Sequence, residues 1–166
     1  VEGAELHSTR LRFVPGPIAA GDFRADIGSA GSCGLVLQAL LPALLSAEGP
    51  VTFEITGGTH NDASPPAPFL EHALLPILRR MGAEVELPDP HHAIITGPAQ
   101  LRGADVEIGD LRAGASLILA ALAAEGTTVI HGAHHVHRGY ENIERKFVDL
   151  GARIERLAEG TTPASS

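Results

Sequence analysis

Residues 21–53, GDFRADIGSAGSCGLVLQALLPALLSAEGPVTF, and residues 103–130, GADVEIGDLRAGASLILAALAAEGTTVI, run through the same features in the same order. Each has a short strand-like segment, the pair Ile-Gly, a small-residue turn, an apolar helix, Ala-Glu-Gly and another strand. Equivalent positions lie 81 residues apart at Gly28 and Gly109 but 77 apart at Glu48 and Glu125, so the first copy's helix is about one turn longer. Each copy closes alike, MGAEVEL in the first and LGARIER in the second, with Gly82 and Gly151 where a helix would end in a left-handed residue. Repetition on this scale means that one supersecondary unit occurs twice, each reading strand, helix, strand, helix, strand.

Local patterning agrees with that division. In Val51–Thr56 apolar Val51, Phe53 and Ile55 alternate with Thr52, Glu54 and Thr56, the period of a strand buried on one face. A helix from about Tyr140 places Ile143, Phe147 and Leu150 on one side and lets Glu141 pair with Arg145 on the wet side. LVLQALLPALL is apolar nearly all round and is expected to lie between layers. Pro42 and Pro76 each remove a helical hydrogen bond, at about 3 kcal/mol in a helix interior. Two bent helices are expected there rather than four short ones, because the apolar pattern stays in phase past each proline.

The copies end differently. After the first, Pro-Asp-Pro punctuates a hairpin whose return strand covers residues 93–96. After the second comes only AEGTTPASS, so residues 159–166 are expected to fray. Residues 1–16 form a leading strand pair belonging to neither copy, and the expectation is that it supplies the edge the second copy lacks. The expected divisions are thus 1–16, 17–98 for the first repeat, 99–158 for the second, and the tail. The fold class is α/β, a two-layer arrangement of mixed sheets with helices on one face.

Bulk properties exclude several classes of function. A chain of 166 residues with 44% hydrophobic side chains can bury one core or two small ones. A net charge of −8, with twelve Lys and Arg spread along the chain, argues against gripping nucleic acid through its phosphates. One cysteine, Cys33, excludes an intrachain disulfide and points to a reducing, cytoplasmic setting. The longest apolar run is too short and too interrupted for a bilayer, and no leader-like segment opens the sequence.

Two resemblances fall on different parts of the chain. Residues 1–87, with VEGAEL, FVPG, IGSAGSCGLVLQALLPALL, GGTHNDASPPAPF and LLPILRRMG, resemble the second repeat of RNA 3'-terminal phosphate cyclases. Residues 93–158, with ITGPAQLRGADV, DLRAGASLILAALAAEGTT and HHVHRGYENIERKFVDLGARIE, resemble the final repeat of UDP-N-acetylglucosamine 1-carboxyvinyltransferase, an enolpyruvyl transferase. The two families share a β-α-β-α-β-β unit, so the resemblances imply a chimera-like chain joined near residues 88–93, by natural rearrangement or by engineering.

Site residues carry over position by position. The cyclase resemblance implies that Gln38 and Pro65 border a nucleotide site; the transferase resemblance implies that Asp110, Arg112 and Arg138 line a substrate site. The adenylylated histidine of the cyclases and the reactive cysteine, lysine and aspartate base of the transferases have no matching position here, and Cys33 is not that cysteine. Loss of the groups that act in the transition state removes most of the rate. Neither parental reaction is therefore expected from this chain alone, and no catalytic residue is assigned. The expected function is architectural; an enzyme fragment completed by another chain is the alternative. No cofactor is expected, and ATP or phosphate is the small anionic ligand the relic sites leave open. Self-association through apolar repeat faces is the expected partnership.

The residues have plainer readings too. Asp110 before an apolar helix reads as an N-cap, and Arg112 in the first helical turn opposes the helix dipole unless an anion sits near it. Arg138, just ahead of a helix, could help hold a phosphate. The histidines of GAHHVHRGYENIERK would share a strand face at His131, His135 and His137 only if the strand ran unbroken, and Gly132 argues for a polar loop instead. Cys33 reads as a small packed side chain, and Gln38 in an apolar helix must find a hydrogen bond if buried.

Overall fold

The computed structural model describes residues 1–28, 31–59 and 67–158. The first repeat builds a four-stranded mixed sheet from β1 (Gly21–Asp26), β2 (Val51–Thr56), β3 (Glu84–Asp89) and β4 (His92–Thr96), in the order β1-β2-β4-β3. β1 runs parallel to β2, with Phe23 beside Phe53, and β4 lies antiparallel between β2 and β3. The alternation in Val51–Thr56 appears as expected: Val51, Phe53 and Ile55 are buried and Thr56 is exposed.

Between β1 and β2 runs α1 (Cys33–Leu44), capped by the Ser32 side chain, which accepts from the Leu35 N–H at 3.3 Å. α1 continues through Pro42. Because Pro42 has no N–H, the carbonyl of Gln38, four residues back, loses its helical donor. The Ser116 hydroxyl, from the second repeat, donates to that carbonyl at 2.8 Å. Pro76 is accommodated differently. The helical path of α2 (Ala67–Phe69) widens into a π turn over Leu70–Leu74 before α3 (Leu75–Arg80), and the Leu75 N–H reaches back five residues to the Leu70 carbonyl. That puts Pro76 in the first turn of α3, where a missing N–H costs little.

The second repeat contains β5 (Asp105–Glu107), α4 (Leu111–Ala123), β6 (Val129–His131), α5 (His134–His137) and α6 (Ile143–Asp149). β5 and β6 form a parallel two-stranded sheet. Gly82 and Gly151 both have positive φ, +103° and +94°, and terminate α3 and α6 as their spacing predicted. α1 packs against α4, and a single buried cluster runs through both repeats, from Leu41, Leu74 and Ile95 to Leu101, Ile108, Leu117 and Val136.

Five expectations from the sequence are corrected. The first copy's helix is not the longer one, since α1 has 12 residues and α4 has 13, and the extra residues of the first copy fall mostly between Gly28 and the cap Ser32. The segment before Tyr140 is not an open loop, because residues 134–137 form the short helix α5, seated by Val136 against α4. Gly114 makes this possible, since a Cβ there would collide with the Val136 side chain. The last helix starts at Ile143 rather than Tyr140, after Asn142 at φ 48°, and Glu144, not Glu141, makes a side-chain contact, with His137 Nε2 at 3.2 Å. Residues 152–156 alternate half-buried Ala152 and Ile154 with exposed neighbours, yet join no ladder among the described residues. Finally, residues 1–16 are held by one antiparallel bridge, Glu2 with Arg12, and pair with neither β5 nor β6. The fraying expected of residues 159–166 lies outside the described residues.

Candidate functional site

α4 starts where β5 ends, so the end of the parallel pair presents a helix N-terminus. Asp110, extended at φ −135°, turns its carboxylate back over that end and accepts from the Arg112 and Ala113 N–H groups, both at 2.9 Å. The carboxylate therefore occupies the amides that a phosphate would need, and its charge repels an anion at that point.

Arg112 and Arg138 lie on two segments that meet at Leu111 and Gly139. Gly139 packs against Leu111 so closely that a Cβ would stand 2.8 Å from Leu111 Cδ2, which seats the segment after α5 against the Leu111 side chain in the first turn of α4. Both arginines are exposed, and neither guanidinium forms an ion pair among the described residues. Ser116 lies one turn beyond Arg112 on the same helix face and also contacts the Arg112 carbonyl at 3.2 Å. Since Ser116 touches α1, Arg112 stands one turn above the α1–α4 contact.

Gln38 is on the α1 side of that contact. It is 2% exposed, and among the described residues neither its amide nitrogen nor its amide oxygen has a hydrogen-bond partner. The structure thus brings Gln38, Asp110, Arg112 and Arg138 to the neighbourhood of α4, with the amide closed inside and the guanidinia outside. Pro65 lies outside the described residues.

The histidines divide into pairs rather than a cluster. His131 Nε2 is 3.0 Å from Asp105 Oδ1, His137 Nε2 is 3.2 Å from Glu144 Oε2, and the His134 and His135 rings lie against each other with centroids 4.1 Å apart. Gly132, at φ +75°, ends the strand before His135 and His137 can share the face of His131. Among the described residues no three His, Cys, Asp or Glu side chains are arranged to hold a metal ion. Glu144 is held below the usual carboxylate range, first by its own N–H in the opening turn of α6 and then, against the cost of burial, by His137 and Arg156.

Cys33 is buried at the start of α1, with Sγ 3.7 Å from the Ile55 carbonyl and 3.9 Å from His91 Nδ1. His91 Nδ1 lies nearer that same carbonyl, at 3.0 Å, so as a donor it is committed there and does not act as a base toward the thiol. Burial pushes the Cys33 thiol up, which keeps it protonated. The cavity beside it measures about 20 Å³, room for one water.

Sequence reasoning missed Ser116 and the Asp89 turn. Ser116 had a signal, since Pro42 guarantees an orphan carbonyl at Gln38, but which side chain answers it depends on tertiary packing. Asp89 Oδ1 accepts from the His91 N–H at 2.8 Å while His92 Nδ1 sits 2.8 Å from Oδ2. These contacts, the backbone N–H foremost, hold Asp89 below its ordinary range.

Comparison with known proteins places this architecture. The sequence pattern of the RNA 3'-terminal phosphate cyclase family matches residues 1–144, continuing from the first repeat through most of the second. The RNA 3'-terminal phosphate cyclase of Pseudomonas fluorescens is 58% identical over 93 residues, 56% of this chain and 27% of the relative. That of Ectopseudomonas mendocina is 56% identical over 86 residues, 52% of this chain and 25% of the relative. The chain therefore spans about a quarter of the length of these curated relatives. Among solved structures, the enolpyruvyl transferase NikO from Streptomyces tendae superposes with a TM-score of 0.53 at 28% identity, over 78% of this chain and 28% of that one. Both resemblances seen in the sequence are thus present, and with the cyclase pattern running across both repeats the chain belongs to the RNA 3'-terminal phosphate cyclase family.

Proposed function

We infer that this chain has an architectural rather than a catalytic role, two repeats of one unit packed together, retaining at most weak binding of a phosphate or nucleotide at Arg112 and Arg138. The observation behind this reading is the division of the relic residues: Gln38 is sealed in the α1–α4 contact, while the arginines stand in solvent beside a helix end already capped by Asp110. A phosphate held by an exposed guanidinium gains charge-assisted hydrogen bonds, but among the described residues no side chain at this place offers a nucleophile paired with a base. The change from cyclase-like to transferase-like sequence near residues 88–93 supports a chimeric origin, against which stands a cyclase pattern that continues to residue 144, and exposed Val148 and Leu150 fit association through apolar faces. A cytoplasmic setting fits a single buried thiol. Among the described residues, no helix is long and apolar enough to cross a membrane.

A second reading, a cyclase or enolpyruvyl-transferase segment completed by another chain, is favoured by Gln38, whose buried and unpartnered amide is a standing cost that a ligand-bound arrangement would relieve. Purified chain incubated with labelled ATP is expected to acquire no covalent label, and phosphoenolpyruvate to release no phosphate. Calorimetric titration with ATP, UDP-N-acetylglucosamine and phosphate is expected to give weak binding at most, lost in the Arg112→Ala, Arg138→Ala double variant. Sustained turnover that disappears in that variant would overturn the architectural reading.

A further inference from the structure

The two repeats can be aligned by their hydrogen bonds. The Ile27 N–H donates to the Thr56 carbonyl at 2.9 Å, and the Ile108 N–H donates to the His131 carbonyl at 3.1 Å, which makes β6 residue Ile130 the counterpart of β2 residue Ile55. The Ile55 N–H points away from β1 and is taken by the His91 carbonyl at 2.8 Å, where the chain turns into β4. The Ile130 N–H, on the side away from β5, has no such acceptor among the described residues.

The helix ends give a second alignment. The Ala83 N–H reaches the Leu78 carbonyl at 3.0 Å after Gly82, and the Ala152 N–H reaches the Phe147 carbonyl at 2.9 Å after Gly151. Residues 153–156 therefore leave α6 as β3 leaves α3. In the first repeat β3 pairs only with β4, never with β2. Among the described residues the second repeat has no counterpart of β4, which leaves residues 153–156 without a neighbouring strand and explains why they form none. Burial records the same gap. Ile55, Leu78 and Val85 are buried, whereas their counterparts Ile130, Phe147 and Ile154 are only half-buried against the core.

The chain's next residues fit this gap poorly. At the spacing of β4 they offer Thr162 and Ala164 where the first repeat has Ala93 and Ile95, and Pro163 has no N–H to donate. Residues 10–14, Arg-Leu-Arg-Phe-Val, fit it well. Leu11 and Phe13 alternate with Arg10 and Arg12, and the two apolar side chains are 62% and 66% exposed. With Leu11 and Phe13 turned onto Ile130, Phe147 and Ile154, the arginines would share the outer face with Arg153 and Glu155 and, beyond β6, with Asp105 and Glu107, so that acidic side chains outnumber the one basic one there. Within one molecule the segment is rooted on the first repeat, where the Ile18 carbonyl accepts from the Glu48 N–H at 2.9 Å, and it does not reach β6.

We propose that the gap between β6 and residues 153–156 is a strand-binding slot, filled by residues 10–14 of a second copy of this chain, antiparallel to β6. Reciprocal exchange closes a dimer in which each copy completes its partner's second sheet.

Sedimentation mass and amide hydrogen exchange test this together. The expected result is twice the 17.2 kDa chain mass, with a protected Ile130 amide. The Leu11→Asp, Phe13→Asp variant, altered only at exposed positions, is expected to sediment as a monomer whose Ile130 amide exchanges roughly tenfold faster or more. A wild-type monomer, a dimer with an unprotected Ile130 amide, or a dimer that persists in the variant would each overturn the proposal. Should the variant not fold, excess synthetic peptide of residues 8–16 replaces it: the peptide is expected to split the wild-type dimer while Ile130 stays protected, and failure to split it counts against the slot.

Discussion

Ser116, Gln38 and Pro42 form a three-residue argument that can be tested by substitution. Ser116→Ala leaves a buried carbonyl at Gln38 without a donor and is expected to cost about 1 to 3 kcal/mol, read from denaturant unfolding. Pro42→Ala restores an N–H one turn along α1, aimed at that same carbonyl. The double variant is therefore expected to be less destabilised than Ser116→Ala alone; simple additivity would mean that the hydroxyl acts elsewhere. The Gln38 amide makes the opposite forecast. Gln38→Met removes an unpartnered polar group of similar shape and is expected to raise the unfolding midpoint. The need for a partner at Gln38 was legible in the sequence. That its carbonyl would be satisfied and its amide left alone was not, because both outcomes depend on how α4 crosses α1.

At the scale of elements, Asp110 and Asp89 are carboxylates that order backbone. Asp110→Ala is expected to cost about 1 kcal/mol of stability through the lost cap, and Asp110→Asn much less, as thermal melts would show. Asp89 has a folded pKa below its unfolded one, so its contribution to the β3–β4 turn is complete above the unfolded value of about 4 and lost as pH falls through the folded value. Exchange of the His91 amide, in the turn ahead of β4, is accordingly expected to accelerate relative to the amides of β4 on acidification through that range, and Asp89→Ala is expected to abolish this pH dependence. Strands and helices with strong periodicity, such as Val51–Thr56 and α4, were legible in the sequence. α5 was not, because four residues hold no period and their helical turn depends on Gly114 admitting Val136. Residues 152–156 have the alternation of a strand and still form none, since a ladder needs a neighbour that sequence pattern alone does not supply.

For the whole molecule, the repeat was the most legible feature and the way its copies join the least. Offsets of 81 and 77 residues identify two copies of one unit but say nothing of which faces meet. The structure answers with α1 against α4, one buried cluster spanning both repeats, and a hydrogen bond between them from Ser116 to Gln38. Repeats that share a core in this way should unfold together, whereas repeats that merely adjoin would melt in sequence. Differential scanning calorimetry measures this most directly. The account predicts one transition whose calorimetric and van't Hoff enthalpies per folded unit agree; two separated transitions, with the Ser116→Ala substitution moving neither, would contradict it.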